Sequence, residues 1–168
     1  MDKRWLEQYQ EKVPHDIDSS RYPSIVTLFH ESCTKYAKRA AYSNLGTEFT
    51  YAQLNKSSRD FAAFLQQLGL QKGARVAIMM PNLLQYPVAL FAILRAGFIV
   101  VNTNPLYTSD EVTHQINDSG AEAIIVLANF AHTVEKSLPE MPHLKHVIVT
   151  EIADLFSPIK KMLVNFVV

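Results

Sequence analysis

The stretch Arg75-Val76-Ala77-Ile78-Met79-Met80-Pro81-Asn82 decides the fold. It is a continuous apolar run without alternation, set between Gly73 and Pro81, and that is how a strand reads when helices cover both of its faces. Immediately downstream, Leu83 to Ala96 is apolar nearly all round, which predicts a buried helix stopped by Gly97; Phe98 to Val101 predicts a second buried strand. Thr108-Ser109-Asp110-Glu111 has the capping-box form and opens a helix with Val112 and Ile116 inward, ending near Gly120. Ala123 to Leu127 reads as a third buried strand, Phe130 to Ser137 as a helix, and His146 to Thr150 as a fourth strand beyond the Pro139 and Pro142 loop. Strands and helices that alternate with short connections imply right-handed crossovers in a sheet. The fold class is therefore α/β, layered, with a mainly parallel sheet flanked by helices.

Working upstream, Thr50-Tyr51-Ala52-Gln53 is another capping box. It starts a helix whose apolar face runs through Leu54, Ser58, Phe61, Phe64 or Leu65, and Leu68, until Gly69. Ala40 to Leu45 and Glu48 to Thr50 read as two short strands around a Gly46-Thr47 turn. Before them, Ile25, Leu28, Phe29, Ser32, Cys33 and Tyr36 recur at helical spacing, predicting a helix capped by Ser24 and ending near Lys38. Residues 1–23 are polar, carry Pro14 and Pro23, and are expected to form an arm; 24–153 make up the α/β unit. Residues 154–168 place Leu155, Ile159, Met162, Leu163 and Phe166 on one helical face, with Lys160-Lys161 on the other. An apolar finish inside a periodic pattern is expected of a polypeptide that continues into a further domain. A basic amphipathic helix resting on anionic lipid is the alternative for this segment.

The whole sequence has 168 residues, 48% hydrophobic and 19% charged, which is material for one full core. Sixteen Lys plus Arg balance sixteen Asp plus Glu, so the chain lacks the cationic surplus that a nucleic-acid partner requires. The same apolar content argues against disorder. The single cysteine, Cys33, cannot form an internal disulfide, and no apolar segment follows the Lys3-Arg4 pair as a secretory signal would demand, so a reducing, cytoplasmic compartment is expected. Val76 to Val101 is the most apolar stretch, but Pro81, Asn82, Gln85, Pro87 and Arg95 interrupt it before ~18 unbroken apolar residues accumulate.

A search for chemistry returns mostly negatives. There is no G-x-x-x-x-G-K-[ST] loop, no G-x-G-x-x-G, no G-x-S-x-G elbow and no C-x-x-C pair. His143 and His146 have no third donor nearby, His30-Glu31 reads as a solvated pair, and Asp110 and Glu111 suit a helix N-terminus electrostatically. The polar strand ends Pro81-Asn82 and Asn102-Thr103-Asn104-Pro105 stand where ligands bind in open α/β sheets; equally, Asn and Pro there terminate strands and satisfy turn backbone.

Those same residues carry a resemblance. The run Arg75 to Phe91, then Leu94-Arg95-Ala96-Gly97 and Val101-Asn102-Thr103-Asn104-Pro105-Leu106-Tyr107-Thr108, resembles bacterial long-chain fatty acid CoA ligases of the adenylate-forming, AMP-binding superfamily. So do Thr50 to Leu54, Gln115 to Ala121, Asn129 to Thr133 and Val164 to Val168, so that nearly the whole chain is covered. The resemblance implies an N-terminal subdomain of an enzyme that uses ATP and magnesium to turn a long-chain fatty acid into an acyl-adenylate, then transfers the acyl group to coenzyme A. It implies that the Ser/Thr/Gly-rich phosphate loop, the acidic metal ligand and the catalytic lysine lie in other polypeptide, so that these residues supply no catalytic group and no metal ligand and are inactive alone. It places the coenzyme A nucleotide near Asn104, Pro105, Leu106 and His132, positions that differ in type from the glycine and arginine of some relatives. Peripheral contact with the cytoplasmic face of the inner membrane and homodimer formation are the expected associations. A non-catalytic α/β interaction or membrane-surface module on the same scaffold is the alternative function.

Overall fold

The computed structural model describes residues 3–167. Two core clusters sit on opposite faces of one four-stranded parallel sheet, and the order of its strands follows from which side each connection lands on. Residues 3–23 hold a short 3-10 turn, Arg4–Gln8, with no buried side chain. Helix α1 (Ile25–Lys35) starts where Thr27 N donates to Ser24 Oγ at 3.1 Å. It buries Phe29 and Cys33, ends three residues short of the expected Lys38, and leaves Ile25 exposed. Strands β1 (Ala40–Asn44) and β2 (Thr47–Thr50) form a separate antiparallel hairpin with Asn44 opposite Thr47. Its turn is therefore Leu45-Gly46, one residue earlier than the sequence pattern placed it, and both residues have positive φ, +48° and +70°. That is the geometry of a type I′ turn, which follows the twist of the strands but favours Asn or Gly over Leu at its first position.

Helix α2 (Tyr51–Gln67) carries the predicted capping box, with Gln53 N on Thr50 Oγ1 at 3.2 Å and Thr50 N on Gln53 Oε1 at 2.8 Å. Leu54, Ser58, Ala62 and Leu65 face inward; Phe64 is exposed, so the stripe runs through Leu65. Strand β3 (Arg75–Met79) is buried from Val76 onward, and α3 (Gln85–Arg95) returns the chain to β4 (Ile99–Asn102). Then α4 (Ser109–Ser119) leads to β5 (Ala121–Leu127), α5 (Ala131–Ser137) to β6 (His146–Thr150), and α6 (Pro158–Val167) follows. The order is β4-β3-β5-β6, all pairs parallel.

Right-handed crossovers explain the layers. The step from β3 to β4 runs one way along the sheet and the steps from β4 to β5 and β5 to β6 run the other, so α3 lands on one face and α4 and α5 on the opposite face. The first face packs Ala62, Leu65, Ala92 and Ile93 over Val76, Ile78 and Ile125; the second packs Val112, Ile116 and Val134 over Ala77, Ile124 and Val126. β4 is an edge strand with Ile99 exposed, which corrects the expectation of a fully covered strand: four consecutive apolar residues cannot distinguish an edge from a centre.

The segment after β6 departs most from its sequence pattern. Ile159, Met162 and Leu163 are 73%, 69% and 58% exposed. The lysines face the body: Lys160 Nζ donates to the Leu45 carbonyl and, at 2.9 Å, to Thr47 Oγ1, and lies 5.0 Å from the centre of the Phe156 ring. Lys161 Nζ pairs with Asp154 Oδ1 at 2.7 Å. Periodicity separated the two faces, and the lysine side is the one turned to the body, where the hairpin turn offers a carbonyl oxygen that only a donor can satisfy. The side chains of 165–167, Phe166 among them, and residue Val168 lie outside the described residues.

Candidate functional site at the carboxyl end of the sheet

The reversal of direction between β3 and β5 is a topological switch point, where open α/β sheets form a crevice beyond the strand ends. Here Phe130, three residues past β5, packs against both core clusters and bridges the two faces at that point. The polar side chains gather instead one strand over, beyond β4.

Asn102 is the hub. Its Oδ1 accepts from the Tyr86 hydroxyl at 2.8 Å and its carbonyl accepts from Gln115 Nε2 at 2.9 Å, so α3 and α4 are both tied to the end of β4. Thr103 N donates to Ile78 O at 2.9 Å, which extends the pairing with β3 by one residue; Thr103 is 4% exposed and its hydroxyl has no partner among the described residues. The Asn104 side chain folds back on its own loop, Oδ1 accepting from Leu106 N at 3.0 Å, while its carbonyl accepts from Tyr107 N at 3.2 Å. Pro105 is half-buried and Leu106 exposed. Thr108 then caps α4, and its backbone and hydroxyl groups on the Glu111 carboxylate hold that carboxyl below its usual range.

His132 stands exposed in the first turn of α5, with Nε2 3.3 Å from Thr133 Oγ1. Among the described residues no hydrogen bond joins it to the 104–106 loop. The four residues expected near a nucleotide thus share the carboxyl edge of the sheet, three on the loop after β4 and one on the helix after β5, with β3 between the two strands. Sequence reasoning gave Tyr86 and Gln115 no role at the site and placed Thr103 at a polar strand end; none of the three contacts was read from the sequence. Their partners lie 16, 13 and 25 positions away, so only the topology reveals them.

A second feature was not anticipated. On the α2/α3 face, opposite α4 and α5, a hollow of about 390 Å³ opens over Ile125 and Ile148, walled by Phe61, Met80 and Leu155. Gln85 closes its end. Nε2 donates to Glu151 O at 2.6 Å and Ile152 O at 3.1 Å, and the side-chain oxygen, also buried, has no partner among the described residues. Asp154 follows in the same connector. Burial pushes its carboxyl up, but Lys161 Nζ, Glu151 N and Thr150 Oγ1, all within 2.9 Å, outweigh that and hold it below the ordinary range.

Cys33 is 2% exposed, and burial pushes its thiol up against the opposing field of Arg95. Arg95 Nη1 donates to Asn55 Oδ1 at 2.6 Å and Ser58 Oγ at 3.1 Å and stands over the Phe29 ring, joining α1, α2 and α3. Cys33 is accordingly a packed small hydrophobe. No group of three or more His, Cys, Asp or Glu side chains among the described residues is placed to hold a metal ion.

Comparison with known proteins settles the family. The family described as AMP-binding enzyme matches residues 29–166. The chain belongs to the AMP-binding enzyme family. Two curated relatives of this AMP-binding chain are long-chain-fatty-acid–CoA ligases: one from Salmonella typhimurium, 57% identical over 169 aligned positions, and one from Escherichia coli O157:H7, 56% identical over the same length. Each alignment takes in 100% of this chain and 30% of the relative, so the AMP-binding chain spans less than a third of those proteins. Among solved structures, Mycobacterium tuberculosis fatty acyl CoA synthetase superposes with a TM-score of 0.70 at 25% identity, over 74% of this chain and 26% of that one.

Proposed function

We propose that this chain is the N-terminal scaffold of a long-chain fatty acid CoA ligase, an enzyme that joins a long-chain fatty acid to coenzyme A at the expense of ATP. What carries the reading is identity above one half to such ligases over the whole length of the chain. The supporting division is an arm over 1–23, the α/β unit over 24–153, and a lead-out over 154–168 toward the polypeptide that holds the reaction. ATP and magnesium do not fit the side chains present here, since among the described residues no acidic or histidine trio converges and no glycine-rich loop follows a strand. Coenzyme A belongs in this reading to the loop after β4, Asn104, Pro105 and Leu106, with His132 along the same carboxyl edge of the sheet. A cytoplasmic location and peripheral contact with the inner-membrane face belong to the same proposal; among the described residues no helix is long and apolar enough to cross a membrane. Pairing of two copies is also included, through the open β6 edge with its exposed Val147 and Val149.

The test is a coupled assay on the full-length protein. ATP-dependent acyl-CoA formation from a long-chain fatty acid is expected, and none from residues 1–168 alone. A full-length protein that binds but never activates fatty acids overturns the ligase reading, and turnover by the isolated chain overturns the scaffold reading.

A further inference from the structure

Along the loop after β4, inward and outward side chains alternate. Thr103 is buried, Pro105 is half-buried and Tyr107 packs against the core cluster beneath α4 and α5; Asn104 and Leu106 face out, Leu106 being 79% exposed. Both ends of the loop are fastened. At its start Thr103 N donates to Ile78 O at 2.9 Å, while Asn102 accepts from the Tyr86 hydroxyl at 2.8 Å and from Gln115 Nε2 at 2.9 Å. At its end Thr108 N donates to Glu111 Oε2 at 2.8 Å in the capping box that opens α4. The span between is shaped by Asn104. Its Oδ1 accepts from Leu106 N at 3.0 Å and its carbonyl from Tyr107 N at 3.2 Å, an Asx turn laid over a β-turn whose second position, Pro105, favours a preset φ.

We propose that Asn104 is a positioning residue for coenzyme A: its side chain sets the loop that presents Pro105 and Leu106, and does not itself touch the nucleotide. This rests on the placement of coenzyme A at this loop in the reading above. An outward asparagine ordinarily offers a ligand both halves of its amide. Here the acceptor half is already spent on the backbone two residues on, where it fixes the direction in which Leu106 leaves the surface. With the residues on either side anchored, 104–106 hold the backbone freedom that remains in the loop, and the side-chain bond removes it. A ligand that meets a loop already in shape avoids the cost of ordering it, and that saving is what the asparagine contributes. Its Nδ2 has no hydrogen bond among the described residues, so it is the atom a direct contact would use, and replacing it separates the two roles.

The experiment uses the full-length protein and compares Asn104→Ala, which loses the acceptor, with Asn104→Asp, which keeps it but has no amide N–H, at high salt so that the added charge is screened. Three quantities are read: deuterium uptake at the Leu106 amide, the KM for coenzyme A in acyl-CoA formation, and fatty-acid-dependent ATP–pyrophosphate exchange, which proceeds without coenzyme A. Asn104→Ala is expected to speed deuterium uptake at Leu106 and to raise the KM for coenzyme A roughly fivefold, with pyrophosphate exchange changed less than about twofold. Asn104→Asp should restore both the protection and the KM to within about twofold of the parent. If Asn104→Asp is as impaired as Asn104→Ala while its Leu106 amide stays protected, the asparagine amide touches the ligand and the proposal is overturned. A parallel loss of pyrophosphate exchange in Asn104→Ala, the mark of a merely structural role, overturns it too, as does an unchanged KM in a loop that has slackened. Leu106→Ser checks the premise. It should raise the KM for coenzyme A; if neither it nor Asn104→Ala does, coenzyme A lies elsewhere and the placement falls together with the proposal, while the ligase reading stands. A parent protein that supports neither pyrophosphate exchange nor acyl-CoA formation ends the ligase reading and this proposal with it.

Discussion

Replacing Gln85 by leucine tests whether one amide fastens the lead-out segment to the sheet. The change keeps the side chain's approximate volume and removes the donors at 2.6 and 3.1 Å from the carbonyls of Glu151 and Ile152. Two such bonds contribute about 1 kcal/mol each, while loss of the unpartnered buried oxygen returns about 1 kcal/mol, so Gln85→Leu is expected to lower stability by a net ~1 kcal/mol. Gln85→Ala removes packing as well and is expected to cost ~3 kcal/mol. Urea unfolding followed by circular dichroism reads the totals. Amide exchange reads the mechanism: the N–H groups of Asp154 and Phe156, which close turns onto Glu151 and Ala153, should exchange roughly fivefold faster in Gln85→Leu, with β3 amides changed no more than the global stability requires. Uniform acceleration across β3, β5 and the connector would show that Gln85 acts on the core as a whole. An unchanged connector would show that the two bonds hold nothing.

Leu45→Asn turns the hairpin tip into Asn-Gly, the pair favoured where both turn residues have positive φ, and should raise the unfolding midpoint by an amount equivalent to about 0.5 to 1 kcal/mol. Cys33 should react with a thiol reagent at pH 8 at least roughly a hundredfold more slowly in the folded protein than in urea, since it is buried and its thiol is held above the usual range. Acid should release the lead-out segment selectively. The folded Asp154 carboxyl lies below its ordinary 3.8, so its contribution is fully present above that value and is lost as pH falls below it through the folded pKa. Amide exchange at 154–164 measured between pH 6 and pH 3, corrected for intrinsic rates, should show the loss, and Asp154→Asn should abolish its pH dependence.

The capped helices and the central strands were legible because their determinants are local. Thr50 with Gln53 and Thr108 with Glu111 close capping boxes across three residues, and Val76 to Met79 needs only its own composition to read as a covered strand. The rest was decided by partners far along the chain. Nothing in Ile99 to Asn102 says that no strand lies beyond it, and nothing in 158–164 says that a carbonyl at position 45 is waiting for a lysine. The hollow over Ile148 was legible in principle. Given the strand order, two successive crossovers in one direction place α4 and α5 on one face and neither on the opposite face of β5 and β6, but the order itself could not be read from the sequence. At the site, the loop after β4 lies at the carboxyl edge of the sheet, and the Asn104 side chain is committed to shaping its own turn, a contact that residue spacing alone does not announce.

Lys160 reaches back 115 residues to the tip of the hairpin, and that separation has a consequence for biosynthesis. At translation speeds of about 5 to 20 residues per second, the turn emerges on the order of ten seconds before the ammonium that satisfies its carbonyl oxygen. Throughout that interval the Leu45 carbonyl has water in place of the lysine, so the left-handed backbone of Leu45 is less firmly held and the nascent hairpin is expected to sample open forms until the lysine arrives. Fastening the oldest part of the chain to the newest makes this contact a timestamp: a ribosome-bound intermediate stalled before residue 160 should have a mobile hairpin beside an already protected sheet.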